Sequence, residues 1–148
     1  MVKGKYFSRV NMRPVYEASW TSLINHRTPQ WLRDAKFGIY THWGLYSVPA
    51  CGPNGSWYSR NMYHKGTPQF AYHEKFFGSA TEFGYKDFIP LFTAKKFDAD
   101  EWAEIFHKSG AKFAGPVAEH HDGYAMWDSS ITPWNAKDSG PCRDIVGE

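Results

Sequence analysis

Residues Phe97–Gly123, FDADEWAEIFHKSGAKFAGPVAEHHDG, carry a helix signal and a strand signal back to back. Asp98 is an N-cap candidate, and Glu101 stands at N3, where its carboxylate can answer the Asp98 amide. Trp102, Ile105 and Phe106 share one face, which predicts a buried stripe along a helix over Asp98–Lys108. Gly110 occupies the C′ position that ends it. Ala111–Ala118 then reads as a buried strand, although Pro116 argues against a regular central ladder. His120-His121-Asp122-Gly123 follows directly at its C-terminal end.

Working outward, Lys36–Trp43 (KFGIYTHW) has the length and the aromatic and branched content of a first strand. Phe37, Ile39 and Thr41 fall on one face, and Gly38, Tyr40 and His42 on the other. Pro49, Gly52, Pro53 and Gly55 mark Gly44–Ser59 as a loop. Arg60–Phe92 is aromatic but poorly periodic, which predicts short helices joined by irregular segments. Nearer the N-terminus, Pro14–Arg33 reads as two short helical pieces broken at Pro29, and residues 1–13 as a flexible lead. Strand, helix, strand in that order predicts a parallel α/β unit. Such sheets hold ligands at the carboxyl ends of their strands, where His42 closes the first and His120–His121 the second.

Composition narrows the function classes. Seventeen Lys and Arg against 15 Asp and Glu leave a net charge of +2, with no clustered basic run. Nucleic acid is therefore excluded as a partner. Nothing approaches the ~20 apolar residues of a membrane span, and the first residues lack the apolar core of a secretory signal. Cys51 and Cys142 stand far apart without metal or redox spacing, so two free thiols and a cytoplasmic location are expected. A chain of 148 residues suits one domain but falls short of the ~250 residues of a closed eight-stranded α/β barrel.

Three residue sets could carry chemistry. The histidines at the strand ends suit polar ligand binding. Adjacent strand residues point to opposite faces, so His120 and His121 could share a metal only across a bulge, and a zinc site from His42, one of the pair and Asp122 is the weaker reading. Trp43, Trp57, Trp127 and Trp134 sit in the loops after the two strands. They are either core or the flat apolar surfaces on which sugar rings lie. Glu119, Asp122 and Asp128 are the nearby carboxylates, but they form no convincing pair for glycoside hydrolysis, and Asp122 suits a turn equally well.

KFGIYTHWGLYSVPA (Lys36–Ala50), WYSRNMY (Trp57–Tyr63), Phe97–Phe113, EHHDGYAMWDS (Glu119–Ser129) and GPCRDIVGE (Gly140–Glu148) together resemble the α-L-fucosidases of glycoside hydrolase family 29. The resemblance implies an α/β fold comprising the first βα units of a (β/α)8-like TIM barrel, incomplete in this chain. It implies retaining hydrolysis of terminal α-L-fucosides, on a fucosylated glycan or fucoside, without metal or cofactor. Carried over motif by motif, His42, Trp57, His120 and His121 hold the fucose, the histidines on its hydroxyls and Trp57 near its ring and methyl group. The nucleophile and acid/base of the family are expected beyond Glu148. Ser56 stands where many relatives have an acidic residue, and Cys142 where a basic one is common. A non-catalytic fucose-binding or vestigial module is the alternative. Open sheet edges and half a core predict association, as a homo-oligomer or with a complementing chain.

Overall fold

The computed structural model describes residues 16–148, so the expectation for residues 1–13 lies outside the described residues. The chain divides into two compact units at Lys36/Phe37. In the first, Ser19 caps helix α1 (Trp20–Leu23), its hydroxyl accepting the Ser22 amide, and Pro29 precedes helix α2 (Gln30–Ala35). This matches the predicted break. Pro29 lacks an amide proton and keeps its own backbone extended, so α2 begins only after it.

In the second unit, strand β1 (Gly38–Thr41) leads into a 3-10 turn at Leu45–Ser47 and another at Gly55–Trp57. Helices α3 (Tyr58–Asn61) and α4 (Pro68–Phe76), a 3-10 stretch at Tyr85–Leu91 and helix α5 (Ala99–Lys108) follow, before strand β2 (Phe113–Pro116). The two strands pair in parallel, Gly38 opposite Phe113 through Thr41 opposite Pro116. The ladder is flanked by Lys112 N–H to Phe37 C=O at 2.9 Å and Val117 N–H to Thr41 C=O at 3.0 Å. Pro116, which cannot donate, falls at the last position of β2. Gly38 has no side chain because the Phe113 ring occupies the place its Cβ would take.

Helix α5 starts and stops as its sequence predicts. Asp98 Oδ1 accepts the Glu101 amide at 2.9 Å; the return bond from Glu101 is not among the hydrogen bonds of the described residues. Gly110 at φ +88° gives both Schellman bonds, Ala111 N–H to Phe106 C=O and Gly110 N–H to His107 C=O.

Two burial expectations are corrected. No residue of α5 is fully buried, and Ile105 is 53% exposed. Strand β2 is also largely open, with Phe113 42% exposed. A sheet of two strands offers too little surface to cover either element. The core forms instead from the irregular segments. Leu45, Tyr46, Tyr58, Met62, Tyr85, Phe88 and Phe92 meet Tyr124, Met126, Ala136 and Ile145. Aromatic residues without periodicity thus supply most of the buried volume.

Buried polar groups in this core are paired in specific ways. His73, fully buried, takes the Tyr58 hydroxyl at Nδ1 (2.9 Å) and reaches the Phe83 carbonyl from Nε2 (2.8 Å). A carbonyl only accepts, so Nε2 carries the proton and Tyr58 donates to Nδ1. Asn135, also fully buried, ties the loop after β2. Its amide donates to Thr132 C=O and Asp138 Oδ2, and its Oδ1 accepts the Lys137 and Asp138 amides. At the chain end, Arg143 pairs with Glu148 through two nitrogens and donates to the Phe97 carbonyl just before α5. Cys51 is buried and Cys142 exposed, and both are free thiols as expected. Among the described residues no helix is long and apolar enough to cross a membrane.

Candidate functional site

Parallel pairing brings the carboxyl ends of β1 and β2 to the same edge of the sheet. His42 lies one residue past β1. Past β2 the chain leaves the extended conformation, and His120–Gly123 forms a turn closed by Gly123 N–H to His120 C=O at 3.0 Å. Gly123 sits at φ +73°, a left-handed conformation that glycine adopts without strain.

This turn revises the expectation that His120 and His121 face opposite ways. They are not on a strand, and their rings stand 4.3 Å apart between centroids. His42 lies 4.8 Å from His120, and Trp57 lies 4.5 Å from His121. His42, His120, His121 and Trp57 therefore make one continuous row of rings. His42, Trp57 and His121 are exposed and His120 half-buried, so the row lines an accessible wall. Among the described residues, no group of three or more His, Cys, Asp or Glu is arranged to hold a metal ion.

The other loop tryptophans go elsewhere. Trp43 packs among Phe92, Phe97 and Trp102, with centroids 5.3, 5.4 and 5.4 Å away. Trp134 meets Tyr124 edge-on within the core. Among the described residues, no ring contact joins the half-buried Trp127 to the histidines. Of the four, only Trp57 supplies a flat face to the wall. Loop position alone does not separate a stacking surface from core, because irregular segments build this core.

Asp122 is a brace. Its Oδ2 accepts the Tyr85 hydroxyl at 2.6 Å, and its Oδ1 accepts the Tyr124 amide at 3.2 Å, an Asx turn. Burial, the Asp122 charge and this hydrogen bond all push the Tyr85 pKa up, so the phenol stays protonated and donates. Glu119 and Asp128 are exposed. The pKa of His120 is lowered from 6.5 chiefly by burial, then by His121 and His42, with Asp122 opposing. The ring is therefore neutral at pH 7.

Three contributors escaped the motif reading. Ser59, on α3, approaches His121 Nδ1 at 3.4 Å. Tyr85 comes from the aromatic segment that lacks periodicity. Tyr46 packs against both His42 (5.3 Å) and His120 (5.0 Å). Its place four residues after His42, in the turn that follows β1, is the only local signal for it. His42, Tyr46, Cys51 and Ser56 line an adjoining cleft of about 340 Å³.

Comparison with known proteins agrees with this geometry. The chain is 41% identical over 136 residues to rat tissue alpha-L-fucosidase, a match covering 90% of this chain and 28% of the relative. It is 42% identical over 139 residues to an alpha-L-fucosidase of Dictyostelium discoideum, covering 90% and 30% respectively. The crystal structure of Thermotoga maritima alpha-fucosidase in complex with fucose superposes with a TM-score of 0.84 at 42% identity, covering 89% of this chain and 33% of that one. The chain thus spans under a third of the length of these curated relatives. A family model described as alpha-L-fucosidase matches residues 6–148, and the chain belongs to that family.

Proposed function

We propose that this chain forms the sugar-holding wall of a retaining α-L-fucosidase, with β1 and β2 as strands of a (β/α)8-like barrel. The observation that carries the reading is the single row of rings His42–His120–His121–Trp57 at the carboxyl ends of two parallel strands. The imidazoles offer donors and acceptors to the hydroxyls of a terminal fucose, and the exposed Trp57 face suits its C–H surface and methyl group. Family membership supports fucose over other sugars, and the substrate class is a fucosylated glycan or fucoside. The carboxylate beside the rings, Asp122, is occupied at both oxygens and serves neither as nucleophile nor as acid. We assign to these residues the holding of the sugar and not the cleavage of its bond.

That occupied carboxylate also favours a second reading, a module that binds fucose without cleaving it. Calorimetric titration with fucose, run beside a chromogenic α-L-fucoside assay, separates the two. The wall predicts fucose binding that His120→Ala abolishes. Turnover lost with the same substitution supports the enzyme; binding without turnover supports the module. Absence of binding to the folded chain refutes the wall.

A further inference from the structure

Two polar atoms beside the wall are buried without a hydrogen-bond partner, the Tyr46 hydroxyl and His120 Nδ1. Natural proteins rarely leave such atoms unpaired, since a desolvated donor or acceptor is costly. The two belong to neighbouring rings, 5.0 Å apart between centroids and inclined at 53°. One is a phenol, able to donate; the other is an imidazole nitrogen, able to accept when bare. Tyr46 is 5% exposed, so its hydroxyl cannot turn to water for a partner. The remaining ring neighbours of His120, His42 and His121, are exposed and can satisfy their own nitrogens from solvent.

We propose that Tyr46 is a positioning residue: its hydroxyl donates to His120 Nδ1 and so holds His120 as the Nε2–H tautomer. The ring nitrogen that accepts a fixed hydrogen bond dictates where the proton sits. His120 Nε2 also lacks a protein partner but is not among the buried unpaired atoms, so it reaches solvent. Held this way, His120 presents a donor to an oxygen of the bound ligand, which on the reading above is a fucose hydroxyl. A freely interconverting imidazole would offer that donor only part of the time. Burial lowers the His120 pKa and raises that of Tyr46, which keeps the ring neutral and the phenol protonated.

Long-range ¹H–¹⁵N correlation spectra of the ¹⁵N-histidine-labelled chain at neutral pH test this. The wild type is expected to show His120 with a bare Nδ1 and a protonated Nε2. Tyr46→Phe, which keeps the ring and removes the hydroxyl, is expected to shift His120 to a mixture of tautomers. A proton on Nδ1 in the wild type, or a tautomer unchanged in Tyr46→Phe, overturns the assignment. Should the variant fail to fold, the wild type decides alone. A slowly exchanging Tyr46 hydroxyl proton close to His120 supports the bond, and its absence refutes it. In fucose titrations Tyr46→Phe is expected to weaken binding about three- to tenfold, the range of one net hydrogen bond. Failure of the wild type to bind fucose would refute the sugar reading, while the tautomer measurement would still decide the role of Tyr46.

Discussion

At the scale of single residues, the site is defined by how each imidazole is held. His120 is half-buried, flanked by His42, His121 and Tyr46, with Asp122 the one opposing charge that moves its pKa upward. Because its folded pKa lies below 6.5, the unfolded chain takes up the proton first as pH falls. His120 therefore costs no stability above the unfolded value and an increasing amount below it, until the folded ring also protonates. Urea melts of the wild type and His120→Gln at about pH 7.5 and about pH 5.5 check this; the wild type is expected to lose more stability on acidification than the variant. Tyr85 acts at one remove. Tyr85→Phe leaves Asp122 short of a buried partner, and is expected to cost about 1–3 kcal/mol in urea melts. Calorimetry should show weaker fucose binding as well, because the His120–Gly123 turn loses its brace. Unchanged stability and affinity would mean that Asp122 holds the turn without Tyr85.

At the scale of elements, regularity and burial part company. Helix α5 has an N-cap, a Schellman stop and an amphipathic face, yet none of its residues is fully buried. The irregular Arg60–Phe92 segment has no such pattern and contributes Met62, Tyr85, Phe88 and Phe92 to the core. Packing there depends on close backbone approaches. Gly140 is the tightest of them, at φ +64°, where an added Cβ would stand 2.9 Å from Tyr124 Oη and about 3 Å from the carbonyls of Ile89 (3.0 Å) and Phe92 (3.1 Å). Backbone cannot yield as a flexible side chain can, so Gly140→Ala combines left-handed strain with a clash. The expected loss is more than about 1 kcal/mol, read from the midpoint of chemical unfolding. A neutral result would show that the loop after β2 can shift as a body. These elements were readable to different degrees. Caps and stops are local, so Asp98 and Gly110 could be placed from neighbouring residues alone. The burial of Ile105 could not, since it depends on how many strands the sheet offers.

At the scale of the whole molecule, the two-stranded sheet leaves apolar surface uncovered. Ile105 and Phe113 are 53% and 42% exposed, and an apolar cleft of about 180 Å³ runs between α5, β2 and Ile145. Surfaces of this kind favour association. Sedimentation velocity over a range of concentrations is expected to show species larger than 17.0 kDa, and a sharply monomeric profile at all concentrations would contradict it. The same openness explains why the sugar wall stands free on one side. Trp57, His121 and His42 face solvent, and the protein groups beside them lie on the other side, in the Tyr46–Asp122–Tyr85 layer.

The sequence by itself determined the parallel strand–helix–strand order, the caps of α5 and the family, and it singled out His42, Trp57, His120 and His121. All of these rest on spacing, on turn chemistry or on motifs that survive as contiguous residues. Only the tertiary structure decided that the four form one row of rings, that Trp43 and Trp134 belong to the core, and that Asp122 braces a turn. It alone revealed the pairing partners Tyr85 and Tyr46, the first 37 residues from the carboxylate it holds. The physical reason is separation along the chain. Contacts between distant segments follow from how the core packs, and a core built from irregular aromatic segments carries no periodicity from which to read them.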